Sequence, residues 1–203
     1  MISTLFNSPL AFFVTVLGLL TAITVHEFAH ALAADSLGDP TPRAQNRISL
    51  NPLVHLDPLG TAMLLFFGFG WGKPVNFDPH NLRNPRKDVA LISLAGPASN
   101  IILAIILSLV AKLMVSSVIV GLLYPLIYIN LILAIFNLVP VFPLDGEKIL
   151  SGLLPRNISF EYQSIMQKYG TIILIVLVLP VFGSSPITSL ISPIIGYVFS
   201  LLT

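Results

Sequence analysis

From Pro9 to Ala34 the chain runs for 26 residues without a second proline, and the run is apolar except for three ionisable side chains near its end, His26, Glu27 and His30. A helix of that length is roughly 39 Å long at 1.5 Å per residue, enough to cross a bilayer. Asn7-Ser8-Pro9 opens it, with Ser8 expected as N-cap and Pro9 at the first helical position. Met1 to Ser8 holds no Lys or Arg, and the apolar run exceeds the roughly 7–15 residues of a signal-peptide core. The segment is therefore expected to stay in the membrane rather than be removed.

Composition agrees with a membrane chain. Of the 203 residues 55% are apolar and 9% charged, against roughly 45–50% and about 25% in a soluble domain. The mean hydropathy is +0.92. Intrinsic disorder is excluded by the same numbers. Ten Lys and Arg against nine Asp and Glu leave a net charge of +1. That is no basic stripe for phosphates, so nucleic acid is not expected as a partner. The absence of cysteine removes disulfides, thiolate metal sites and a cysteine nucleophile.

Breakers divide the rest. Residues 35–59 are polar and proline-rich and read as loop. Gly60 to Trp71 is apolar but too short to span as a helix. Its end, Gly68-Phe69-Gly70-Trp71-Gly72, predicts a re-entrant turn or β-hairpin within the membrane. Val89–Ala111 is a predicted span with a bend at Gly96-Pro97. Residues 122–139 form another, ending at Pro140. Residues 144–168 are mixed, with an amphipathic helix expected, and 171–202 are apolar but broken at Pro180, Gly183 and Pro186. The expected fold is an all-α polytopic membrane protein with five to six transmembrane segments and a re-entrant or β-hairpin segment. It forms one membrane-embedded domain over 1–203, with no internal repeat.

Charge gives an orientation. If Gly60–Trp71 does not cross, residues 35–88 and 144–168 share one side and hold nine of the ten basic residues, only Lys112 lying opposite. The positive-inside rule makes that side cytoplasmic and the N-terminus external.

The chemistry sits in His26-Glu27-Phe28-Ala29-His30. Two histidines at i and i+4 share a helix face and can reach one metal ion, with the glutamate suited to taking a proton from water. At this chain's own His and Glu frequencies about 0.001 such patterns are expected by chance. A catalytic Zn2+ site needs a third protein ligand and an open fourth position. Asp145, in Leu144-Asp145-Gly146 after a span that ends on the same side, is the leading candidate; a turn or N-cap role is its structural alternative. His55 and Asp57 follow, although turn roles suit their proline-flanked loop better. His80, Glu147 and Glu161 read as solvated charges.

HEFAH on a membrane helix, with NLVPVFPLDG (137–146) after a later span, resembles the site-2 protease family of intramembrane zinc metalloproteases. NPLVHLDPLG (51–60), GKPV (72–75) and AGPASN (95–100) extend the resemblance over roughly residues 21–152, leaving 153–203 as C-terminal membrane segments. The resemblance implies one zinc per chain held by His26, His30 and Asp145, with Glu27 as catalytic base. It also implies that Asn137 holds substrate near the metal and that residues 68–75 form a hairpin that pairs with an extended substrate. The chain resembles compact prokaryotic members without a PDZ domain, which implies a multi-pass protein of a prokaryotic cell membrane.

The expected activity is hydrolysis of peptide bonds within or near transmembrane segments of membrane proteins, in contact with the lipid bilayer. Glu27 would take a proton from water and return it to the leaving amine, and Asn137 or His55 would assist the oxyanion. His26 lies roughly 26 Å along the helix, toward the cytoplasmic side. Two other classes fit less well: a catalytically silent protein that binds transmembrane helices, and a metal transporter, which would be expected to carry structural repeats. Oligomeric state and substrate are not legible.

Overall fold

The computed structural model describes residues 2–67, 70–180 and 184–203. Their helices, in order, are α1 (Ile2–Asn7), α2 (Pro9–Ser36), α3 (Thr41–Ala44), α4 (Pro58–Phe67), α5 (Pro85–Leu113), α6 (Ser117–Asn137), α7 (Asp145–Leu153), α8 (Arg156–Val178) and α9 (Pro186–Leu202). Among the described residues there is no β-strand, and one isolated antiparallel bridge pairs Leu56 with Gly72. Among them α2, α5 and α6 are the three helices long and apolar enough to cross a membrane. Helix α9 is apolar but 17 residues long, and α8 is polar over its first half and apolar over its second.

The expected spans thus appear as α2, α5 and α6. Ser8 stands at the N-cap of α2, but its side chain makes no capping hydrogen bond. Of the two expected forms, re-entrant turn or β-hairpin, the apolar stretch after Pro58 departs from the β-hairpin by opening as helix α4. Thr-Ala-Met-Leu-Leu lacks strand alternation and is rich in helix formers, and Asp57 caps the helix by accepting the Gly60 N–H at 2.7 Å. The expected turn at Gly68 and Phe69 lies outside the described residues. Gly60 and Gly70 let the two limbs touch: a Cβ on Gly70 would lie 2.2 Å from the Gly60 carbonyl oxygen.

Helix α5 is the centre of the bundle, packed on α2, α6 and α7, while α6 also meets α2 and α9. The spans turn large apolar side chains outward, Phe13 and Leu17 on α2 and Ile102 and Leu109 on α5. Their inward faces carry small residues, Gly18, Ala22, Ala31 and Ala34 on α2, and Gly96, Ala104 and Ser108 on α5. Lipid offers outward side chains the same apolar environment as a protein core, so close backbone approach drives such packing.

Polar contacts tie down the end of α2. Gly38 has φ +112°, a left-handed conformation that stops the helix with glycine at little cost. Asp39 follows, fully buried. Its Oδ1 accepts the Thr41 N–H (3.1 Å), the Thr41 hydroxyl (2.6 Å) and Asn81 Nδ2 (2.8 Å), and its Oδ2 the Asp78 N–H (2.7 Å). Burial pushes this carboxyl's pKa up, but those four bonds outweigh it and hold Asp39 below its ordinary 3.8. A depressed folded pKa contributes stability at pH values above the unfolded pKa, and that stability is lost as pH falls through the folded value. Asp39→Asn should therefore cost about 3 kcal/mol at pH 7. In thermal unfolding the gap to wild type should narrow as the pH drops below 3.8. A pH-independent gap would contradict the assignment.

Candidate metal centre

Helical spacing puts His26 and His30 on the buried face of α2, their rings edge to face with centroids 4.6 Å apart. Each Nδ1 is engaged. His26 Nδ1 lies 2.7 Å from Asn100 Oδ1, and His30 Nδ1 lies 2.7 Å from the Ile92 carbonyl oxygen, both partners on α5. Both Nε2 atoms are thereby turned to one point, where Asp145 Oδ2 lies 3.1 Å from His26 Nε2 and 3.3 Å from His30 Nε2. Asp145 is the first residue of α7, and the N-cap position belongs to Leu144. The capping alternative does not describe it.

Among the described residues this is the one group of three or more His, Cys, Asp or Glu side chains with donor atoms close enough to share an ion, all within 4.8 Å. Metal–donor bonds of about 2.0–2.1 Å at tetrahedral angles separate donors by about 3.3–3.4 Å, so the two imidazole–carboxylate distances suit a tetrahedral ion. The donor set, two imidazoles and a carboxylate, suits zinc. Gly96 makes the room: a Cβ there would lie 2.4 Å from His30 Nε2 and 2.7 Å from His26 Cε1.

Glu27 is half-buried beside the cluster, and its Oε2 accepts the Val75 N–H at 3.0 Å. The segment that holds it is itself held: the Lys73 N–H donates to the His55 carbonyl oxygen at 2.8 Å, and Arg47 Nη2 donates to the Lys73 carbonyl oxygen. His26, Glu27, His30, Asp145 and Asn137 line one cavity of about 860 Å³ with Tyr128, Phe136, Thr188 and Ile191. Asn137 donates Nδ2 to the Leu133 carbonyl oxygen at 2.9 Å.

The other candidates lie elsewhere. His55 is fully buried, with Nε2 2.7 Å from the Ser49 carbonyl oxygen, and is outside the three-donor group and the cavity lining. Burial pushes its pKa down, and Arg47 adds to that against the Ser49 carbonyl, so the ring is neutral at neutral pH. Asp57 serves α4. His80 is exposed. Glu147, expected as a surface charge, is 7% exposed because α7 packs it inward, and burial raises its pKa. Arg47, read only as a topological charge, is 4% exposed and braces the Glu27 support. Nothing in its local sequence marks that role.

Membrane-length helices around two imidazoles and a carboxylate, with a glutamate alongside, define a membrane metallohydrolase. Comparison with known proteins narrows the class. The family model described as Peptidase family M50 matches residues 108–177. YwhC of Bacillus subtilis, named as a zinc metalloprotease, is 38% identical over 179 residues, 83% of this chain and 81% of that protein. Rip2 of Mycolicibacterium smegmatis, also named as a zinc metalloprotease, is 28% identical over 180 residues, 83% of this chain and 67% of that one. Stage IV sporulation protein FB of B. subtilis is 31% identical over 156 residues, 71% of this chain and 52% of that one. No solved structure matches. The chain belongs to peptidase family M50, the site-2 proteases. It is an integral-membrane zinc metalloprotease, a hydrolase with Zn2+ as cofactor.

The Gly96 contact carries a direct expectation. Gly96→Ala drives a methyl group into both imidazoles, and should weaken metal binding by about 10–100-fold, the usual cost of disturbing the surroundings that orient metal-binding imidazoles. A chelator-competition titration should read that loss. Unchanged affinity would mean that the rings have room to spare.

Proposed function

We propose that this protein hydrolyses peptide bonds within or near transmembrane segments of membrane proteins, with His26, His30 and Asp145 as the zinc ligands and Glu27 as the proton carrier. The observation that carries the proposal is the convergence of both Nε2 atoms and Asp145 Oδ2 beside Glu27 in a cavity between membrane-length helices. When bound, zinc supplies Lewis acidity to water and to the scissile carbonyl. Glu27 takes the proton as the water oxygen bonds to the carbonyl carbon, then delivers it to the amine nitrogen as the C–N bond breaks. A carboxylic acid and an amine result, and the second water proton passes between them to leave carboxylate and ammonium. The Val75 N–H holds one carboxylate oxygen of Glu27 and leaves the other for the proton. Asn137 is the better oxyanion candidate, because it lines the cavity and His55 does not.

The chain is read as one membrane-embedded domain over 1–203, with five to six membrane segments, counting α8 and α9 as further crossings and α4 as a re-entrant piece. The N-terminus lies outside a prokaryotic cell membrane, and the metal sits toward the cytoplasmic side. The nine clustered basic residues support that orientation. The substrate segment must unwind before attack, since helical carbonyls are bonded internally, and strand pairing with residues 70–75 would re-satisfy its backbone.

The test is cleavage of single-span proteins co-reconstituted with the protease in vesicles. Cuts should map to the span or its edge, stop on zinc chelation and return with added zinc. Cleavage confined to soluble peptides would overturn the substrate assignment.

A further inference from the structure

The cluster rests on a second layer of buried amides that joins three helices. Asn100 on α5 and Asn130 on α6 are both fully buried. Asn100 Nδ2 donates to the Ala22 carbonyl oxygen and to Asn130 Oδ1, each at 2.9 Å, and Asn130 Nδ2 donates to the Leu126 carbonyl oxygen at 2.9 Å. Asn100 Oδ1 faces His26 Nδ1 at 2.7 Å.

The direction of every bond in this chain follows from its two ends. A backbone carbonyl can only accept, so Leu126 requires the NH2 side of Asn130 and leaves Asn130 Oδ1 facing Asn100. Ala22 likewise requires the NH2 side of Asn100. With both its N–H groups committed, Asn100 can offer His26 only an acceptor. His26 must then carry its proton on Nδ1, which leaves the lone pair on Nε2, the atom turned toward Asp145. His30 reaches the same state more simply, through the Ile92 carbonyl oxygen.

We infer that Asn100 and Asn130 are positioning residues that fix the metal-binding tautomer and ring orientation of His26. The inference deepens the proposed zinc site and rests on it. Outer partners of metal-bound histidines act in this way, and their loss typically costs about 10–100-fold in metal affinity. Asn100 touches the ligand directly. Asn130 acts one step further out, by holding the Asn100 amide in register, so its loss should cost less.

Zinc affinity, measured by chelator competition on the full-length protein in detergent, tests this without a substrate. Asn100→Leu removes the acceptor and should bind zinc about 10–100-fold more weakly. Asn100→Asp loses the same donations to Ala22 and Asn130, and with them the hold on the side chain, but keeps an acceptor on His26; it should bind zinc more tightly than Asn100→Leu and more weakly than wild type. A packing role predicts equal damage from both, and that result overturns the inference, as does wild-type affinity in Asn100→Leu. Should Asn100→Leu not fold, Asn130→Leu decides: weaker binding upholds the relay, unchanged binding overturns it. The d–d bands of the cobalt-substituted protein should shift further in Asn100→Leu than in Asn100→Asp. Failure of the wild type itself to bind zinc would strike the metal site rather than the relay.

Discussion

Glu27→Gln should keep its zinc, at about one ion per chain, and lose proteolysis by about 10²–10⁴-fold. Gln has the shape of Glu and keeps an oxygen to accept the Val75 N–H, so the cavity and the three donor atoms stay as they are. What it lacks is a group that binds a proton from water and later releases it to the leaving nitrogen. The rate loss corresponds to about 3–5 kcal/mol of transition-state stabilisation. Cleavage of a reconstituted single-span substrate and elemental zinc content, measured on the same preparation, check the two halves together. Full activity in the variant would remove Glu27 from the chemistry. A variant that loses zinc as well would mean that Glu27 bears on the metal site itself. The pair of readouts also separates a protease from a helix-binding protein, whose affinity for membrane segments the substitution should leave intact.

Asp145→Ala should lose both zinc and activity. It leaves two imidazoles, and a catalytic zinc site uses three protein ligands with one open position. The helix it starts should survive, because Leu144 rather than Asp145 holds the N-cap position of α7. Far-UV circular dichroism should thus match wild type while zinc content falls well below stoichiometric. Asp145→Glu keeps the carboxylate but lengthens its stem, and should hold zinc at an affinity between Ala and wild type. Zinc retained in full by Asp145→Ala would transfer the third position to another group. His55 is poorly placed for it, being fully buried outside the donor group.

The HEFAH pattern was legible because its geometry is local: residues four apart on a helix share a face whatever the helix packs against. The spans were legible for a similar reason, since length and apolarity are properties of a segment and the bilayer supplies the other side of the contact. Asp145 could be singled out only as a candidate, because its meeting with His26 spans 119 positions and depends on how α7 is set against α2. Gly96, Asn100 and Asn130 were less visible still. A glycine in a membrane helix and a buried asparagine are each compatible with many roles. The rotation of α5 about its own axis turns Gly96 to the imidazoles and Asn100 to His26, and that of α6 turns Asn130 to Asn100. Glu147, read as a solvated charge, and Arg47, counted only for orientation, show the limit from the other direction: helix and loop packing take both out of water. The chain's chemistry and its membrane setting are written in short-range patterns. Which atoms hold the imidazoles in their working orientation depends on contacts between helices distant in sequence, and one-dimensional periodicity does not encode which faces those helices turn toward each other.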